Sequence, residues 1–150
     1  MPRIVREADI TWEGTLSRGA GIVRAASSSA FDLPITIASR VGDPEGKTSP
    51  EELLAAAHAT CFVTSLAGEL AKAGTAPGRL DVRCTITMDE VGGIGHRIVS
   101  SALSARGTAP GADAASFAQA AEAADAGCPF SALIKASATV TVEATLEGSA

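Results

Sequence analysis

The sequence predicts an α+β fold. Its elements run strands, helix, strands, helix, strand. Two observations carry this reading. A single capped helical stretch extends from Pro50 to Lys72, and Leu80–Met88 alternates apolar and polar residues as a strand does. The length of 150 residues fits one domain with room for a hydrophobic core.

The N-terminal part reads as strands. Ile10–Trp12 and Gly21–Arg24 form a hairpin across the turn Ser17-Arg18-Gly19-Ala20-Gly21. Leu33–Val41, rich in β-branched residues, is expected as a third strand that delivers Arg40 to the loop 42–47. The long helix follows. Ser49 is its expected N-cap, Pro50 occupies N1, and Glu52 at N3 completes a capping box. Gly74 and Pro77 close it. Twenty-three residues span about 35 Å. Leu53, Leu54, Phe62, Val63, Leu66 and Leu70 cannot all face one sheet, so a second helix or a second subunit must cover the remainder.

Beyond it, Leu80, Val82, Cys84, Ile86 and Met88 share one strand face, which turns Cys84 into the core. Ile98–Ala105 pairs with that strand across Gly92-Gly93-Ile94-Gly95. A second helix covers Asp113–Ala126 and stops at Gly127, a short helix begins at Pro129, and Ala138–Leu146 is the last strand.

Composition narrows function. Aromatic residues make up 3%, with no Tyr, and the net charge is −5 without a basic run. Nucleic acid and anionic membranes are therefore poor partners. The N-terminus lacks an apolar signal-peptide core, and His58, Thr60, Thr64, Ser65, Glu69 and Lys72 interrupt the apolar stretch Leu53–Ala73. A cytoplasmic protein is expected. There, a bridge among its three cysteines is more readily catalytic or regulatory than structural.

The cysteines lack Cys-x-x-Cys spacing and no His-x-x-x-His accompanies them, so a metal site is not expected. G-x-S-x-G and a phosphate-binding P-loop are absent as well. Cys61 lies in the long helix one turn beyond His58 and some 80° around the axis from Glu51. It reads either as a small buried hydrophobe or as a nucleophile that needs a neighbouring cation or hydrogen-bond donors. His58 reads more simply as a core or interface histidine whose ring is satisfied by hydrogen bonds. Cys128, between Gly127 and Pro129, is the expected N-cap of the short helix, where unpaired N–H groups favour a thiolate. Arg18 and Arg40 are the cations of interest, although each taken alone reads as a surface residue.

Together, Trp12-Glu13-Gly14, the motif S-P-E-E-L-L-A-A-A-H-A-T-C-F from Ser49 to Phe62 and A-G-C-P from Ala126 to Pro129 resemble the OsmC/Ohr family of thiol peroxidases. The alanine-histidine form of the helix motif looks more like the OsmC branch. The resemblance implies a single domain over residues 1–150 and an intertwined homodimer, with two long central helices flanked by antiparallel sheets. It also implies reduction of organic hydroperoxides, and of hydrogen peroxide in some members. Cys61 is similar in position to the peroxidatic cysteine, Cys128 to the resolving one, and Glu51 to the active-site glutamate. Arg40 aligns with the arginine of the OsmC branch, and Arg18 lies near the place used by the Ohr branch. An external dithiol, such as one of lipoyl type, would regenerate the enzyme without a cofactor. The competing reading is a non-catalytic dimeric domain that binds a hydrophobic ligand or senses redox state through a reversible disulfide; a mere binding module has no need of both Cys61 and Cys128.

Overall fold

The computed structural model describes residues 1–148. The chain forms two compact units, Met1–Pro50 and a second from Glu51 onward.

The N-terminal unit is an antiparallel sheet of β1 (Ala8–Glu13), β2 (Ala20–Ala25) and β3 (Asp32–Ile35), followed by the short helix α1 (Ile37–Val41). The expected third strand, Leu33–Val41, is corrected here: strand conformation stops at Ile35. Thr36 accepts a hydrogen bond from Ser39 N–H, and the Ser39 side chain returns one to the Thr36 backbone. This reciprocal capping box outweighs the β-branched composition and starts a helical turn. Arg40 therefore sits in the last turn of α1 rather than at a strand end.

In the second unit, α2 (Pro50–Lys72) has the expected bounds. It ends through Gly74, whose φ of 77° is open to glycine at little cost, while Thr75 N–H reaches back to Leu70 O at 2.9 Å. Next come β4 (Arg79–Val91), β5 (Gly95–Thr108), α3 (Ala114–Gly127), α4 (Pro129–Lys135) and β6 (Thr139–Leu146). The hairpin β4–β5 is longer than the alternation indicated. Its pairing jumps from Thr87–Ser100 to Met88–Ile98, leaving Val99 as the extra residue of a bulge. The expected antiparallel pairing holds in both sheets except at β5–β6, which runs parallel. A parallel return requires a long crossover, and α3 and α4 provide it.

This second sheet has one covered face. Leu80, Val82, Cys84, Leu103, Ala105, Val140, Val142, Ala144 and Leu146 pack with Phe62, Leu66 and Leu70 of α2 and Phe117, Ala120, Ala121 and Ala124 of α3. Asp81, Arg83, Thr85, Thr141, Glu143 and Thr145 alternate onto the exposed face. The buried residues of α2 are His58, Phe62, Leu66 and Leu70, a stripe of i+4 steps. By length and composition alone α2 is apolar enough to cross a membrane, yet that stripe is seated in a protein core. Within the chain only 22% of its apolar window is buried, and Leu53, Leu54 and Val63 remain partly exposed.

Phe117 is fully buried where α3 meets this core. Phe117→Ala should lower unfolding free energy by about 3–5 kcal/mol, the transfer loss of the ring plus its cavity, read from the midpoint of denaturant unfolding.

Candidate thiol site

Cys61 lies in the middle of α2, partly buried, one residue before the core residue Phe62. Cys128 is 1% exposed and occupies the junction where α3 ends and α4 begins. Its backbone N–H bonds Asp125 O at 3.2 Å, and its own carbonyl accepts Ala132 N–H at 3.1 Å. Lys135 of α4 holds Asp125 of α3 at 2.5 Å, which fastens the two helices across the turn. This junction brings the Cys128 sulfur to 3.2 Å from the Cys61 sulfur, with neither cysteine in a disulfide.

The two thiols are tuned in opposite directions. Cys61 is raised, first by burial and then by its contact with Cys128, with the Phe130 backbone N–H and the Ser65 hydroxyl offsetting only part. Burial also raises Cys128, but the Ser131 N–H, the Cys61 thiol, the Ser131 hydroxyl and the Phe130 N–H together outweigh it and leave Cys128 lowered. Ser131 N–H lies 3.5 Å from the Cys128 sulfur, the geometry of an N-cap, as the sequence predicts for Cys128. When Cys128 ionises, Cys61 S–H is the donor between them. The first proton lost belongs to the pair, and the negative charge settles on Cys128.

His58 is completely buried beside this pair. Its Nδ1 lies 2.7 Å from Ser101 Oγ of β5, and its Nε2 lies 2.8 Å from Ser131 Oγ of α4. Both ring nitrogens are satisfied, as the simpler reading of His58 holds. Cys84 adds a third thiol, 3.2 Å from Ser101 Oγ and 3.8 Å from His58 Nδ1. It is the diagonal neighbour of Ser101, since its direct partner on β5 is Leu103.

Sequence reasoning missed Ser101 and Ser131. Ser101 carried a signal: it occupies the same inward series as Leu103 and Ala105, where a hydroxyl is out of place unless it has a partner. Ser131 stands at the third position of α4 and gave no separate sign. The other expected residues, Glu51, Arg18 and Arg40, lie on separate elements. Glu51 is in the first turn of α2, a rise of about 15 Å from Cys61 and beyond direct contact. Arg18 and Arg40 belong to the N-terminal unit. Arg18 is exposed in the β1–β2 turn. Arg40 borders a cavity of about 310 Å³ whose walls include Trp12, Leu16, Ile35, Ile37 and Pro50. Trp12 is steadied there by an Nε1–H bond to Gly14 O at 3.0 Å. Among the described residues no three of His, Cys, Asp and Glu converge to hold a metal ion.

An α+β chain with two thiols in contact, one with its pKa lowered by nearby donors, belongs to the class of thiol-redox proteins by its chemistry. Residues 42–143 match the OsmC-like protein family. The chain is 36% identical over 137 residues to Peroxiredoxin OsmC of Escherichia coli K12, covering 91% of this chain and 94% of that one, and equally to its counterpart in Shigella flexneri. It belongs to the OsmC family. The same fold is seen in the organic hydroperoxide resistance protein OhrB of Bacillus subtilis, at a TM-score of 0.72 and 19% identity over 92% of this chain and 97% of that one. An organic hydroperoxide resistance protein OsmC from Legionella pneumophila gives a TM-score of 0.72 at 18% identity, covering 97% and 100% of the two chains.

Burial holds His58 below its ordinary pKa, with Asp125 opposing and Lys135 adding to that effect. The unfolded chain therefore binds a proton that the folded chain refuses. This contribution to stability is full above the ordinary histidine value of 6.5 and is lost as pH falls through the lowered folded value. The melting temperature should decline on acidification below pH about 6.5, before most carboxylates titrate, and His58→Gln should flatten that decline.

Proposed function

We propose that this chain is a thiol peroxidase that reduces organic hydroperoxides, and hydrogen peroxide less well, to alcohol or water. The observation that carries the reading is the contact between Cys61 and Cys128 at 3.2 Å, with their proton affinities set in opposite directions. A binding module or purely structural dimer has no use for such a pair. Membership of a family whose curated relatives are named peroxiredoxins supports it.

In the proposed cycle the Cys61 thiolate attacks the terminal peroxide oxygen. An S–O bond forms, the O–O bond breaks, and the alkoxide takes a proton to leave as alcohol, with Cys61 now a sulfenic acid. The Cys128 thiolate then attacks the Cys61 sulfur. An S–S bond replaces the S–O bond, and the departing hydroxide leaves as water with a proton. An external dithiol, such as a lipoyl group, exchanges with the bridge, restores both thiols and is itself oxidised to a disulfide.

Cys61 needs help for the first step. Burial and Cys128 both keep its proton on, so a counter-charge must reverse them. A guanidinium suits this role because it stays charged and can be held in a fork by a carboxylate. Arg40 is our first choice for that cation, with Arg18 the competitor and Glu51 the orienting carboxylate. Arg40 borders an apolar cavity of the kind an alkyl hydroperoxide would enter.

A homodimer completes the proposal. Outside its buried stripe α2 is only partly covered within one chain, and a second copy laid along it would bury Leu53, Leu54 and Val63. Arginine and glutamate could then come from either chain. The whole of residues 1–150 would act as one domain in the cytoplasm. Alignment with the curated relatives over 94% of their length is consistent with a single functional unit.

Reduced protein mixed with stoichiometric cumene hydroperoxide should lose two thiols and gain a Cys61–Cys128 bridge, read by mass spectrometry of the digest. Cys61→Ser should stop peroxide consumption, while Cys128→Ser should turn over once and then over-oxidise. Wild-type consumption by Cys61→Ser would overturn the mechanism. Between the cations, the alanine variant that raises the Cys61 pKa identifies the activator; if neither Arg40→Ala nor Arg18→Ala does so, the guanidinium assignment fails.

A further inference from the structure

The mechanism above leaves four buried or partly buried groups beside the sulfur pair without a role: His58, Ser101, Ser131 and Cys84. They form one continuous chain of hydrogen bonds across four elements. Cys84 of β4 meets Ser101 of β5 at 3.2 Å, Ser101 meets His58 of α2 at 2.7 Å, and His58 meets Ser131 of α4 at 2.8 Å. Ser131 in turn caps Cys128 through its backbone N–H, 3.5 Å from the sulfur, which holds its hydroxyl on the same turn, and that hydroxyl also favours the Cys128 thiolate.

One assignment of protons lets the Ser131 hydroxyl favour an ionised Cys128 while every bond of the chain stays satisfied. A thiolate can only accept, so Ser131 O–H points at Cys128. The Ser131 oxygen must then accept from His58 Nε2–H. A neutral imidazole carries a single N–H, which leaves Nδ1 to accept from Ser101 O–H, and the Ser101 oxygen to accept from Cys84 S–H. Every donor thus points the same way, from Cys84 towards Cys128, and each bond polarises the next.

We propose that His58 is a positioning residue for the resolving step, which locks the Ser131 hydroxyl into donating to the Cys128 sulfur and so keeps Cys128 a thiolate aimed at Cys61. The inference rests on the peroxidase reading for its chemical purpose, since the stabilised sulfur is the one that closes the disulfide. His58 transfers no proton in this role. Were the ring to gain one, Nδ1 would become a donor, and the Ser101 hydroxyl would have to turn away. The titratable groups around it are Cys61 on its own helix, Cys84 from β4, Asp125 from α3 and Lys135 from α4, with β5 contributing the neutral Ser101.

The test needs no peroxide. In a Cys61→Ser, Cys84→Ser background Cys128 is the sole thiol, and the serine at 84 still offers Ser101 a hydroxyl. Thiolate absorbance at 240 nm then follows Cys128 alone against pH. Ser131→Ala and His58→Phe should each move its titration upward by about one unit, a tenfold loss of thiolate at a given pH below the transition. His58→Gln, which keeps an acceptor facing Ser101 and a donor facing Ser131, should restore the original curve. Ser131→Ala removes one hydroxyl and keeps the test alive if His58→Phe does not fold. An unmoved titration in Ser131→Ala overturns the proposal. So does a folded His58→Phe that titrates as its parent, or a His58→Gln displaced as far as Ser131→Ala.

A second readout ties the effect to the reaction. With Cys61 and Cys84 intact, rapid quenching after one equivalent of hydroperoxide should show Ser131→Ala slowing disulfide closure about tenfold more than it slows sulfenic acid formation, in proportion to the lost thiolate. Equal slowing of both steps would assign Ser131 a merely structural part and overturn the inference. If the wild-type protein consumes no hydroperoxide, the functional reading falls, while the peroxide-free titration still decides whether the chain of bonds sets the state of Cys128.

Discussion

The buried imidazole of His58 is the constraint on which the site depends. A ring with no exposure to water must find partners for both nitrogens inside the protein, and leaving one unmet costs about 1–3 kcal/mol. Its two partners come from different elements, Ser101 on β5 and Ser131 on α4. That requirement joins the long helix to the second sheet at one nitrogen and to the short helix at the other. Ser131 lies three residues after Cys128, so meeting the ring's demand also brings the Cys128 sulfur to the side of α2 that carries Cys61. The contact between the sulfurs is a consequence of how a histidine one turn away is satisfied.

That arrangement divides the electrostatics unevenly. Cys128 collects the N–H groups that open α4, together with the Ser131 hydroxyl, while Cys61 on a mid-helix face has burial against it. A helix interior has no spare N–H groups to offer, because each is already bonded to a carbonyl one turn back. In the proposed mechanism, Cys61 must therefore borrow its stabilising charge from outside α2. This gives a physical reason for a catalytic unit larger than one helix, and for the interest of arginines carried elsewhere in the chain.

Much of the fold was legible in the residues. Pro50 and Gly74 bracket α2, the alternation around Cys84 identifies β4, and Gly127-Cys128-Pro129 marks the break between α3 and α4. The failures have particular causes. Thr36-Ile37-Ala38-Ser39 hid a capping box inside a β-branched run, so α1 was read as strand. The parallel entry of β6 beside β5 has no local signature, because strand direction is decided by where a crossover of two helices delivers the chain. In the site, Cys61, Cys128 and His58 were singled out from their neighbours on the chain, but Ser131 was not. A serine in the first turn of a helix is ordinary until the imidazole that faces it is known.

The sequence by itself determined the helix that carries Cys61, the break that carries Cys128, and the inward face that carries Cys84, because each follows from periodicity or capping within about a dozen residues. Only the tertiary structure decided that Cys61 and Cys128, 67 positions apart, meet at 3.2 Å, that the lowered proton affinity falls on Cys128, and that His58 bonds two serines instead of serving Cys61. Those outcomes depend on long-range packing and on the balance between burial and donors at each sulfur. Neither quantity exists until the helices are docked on the sheet.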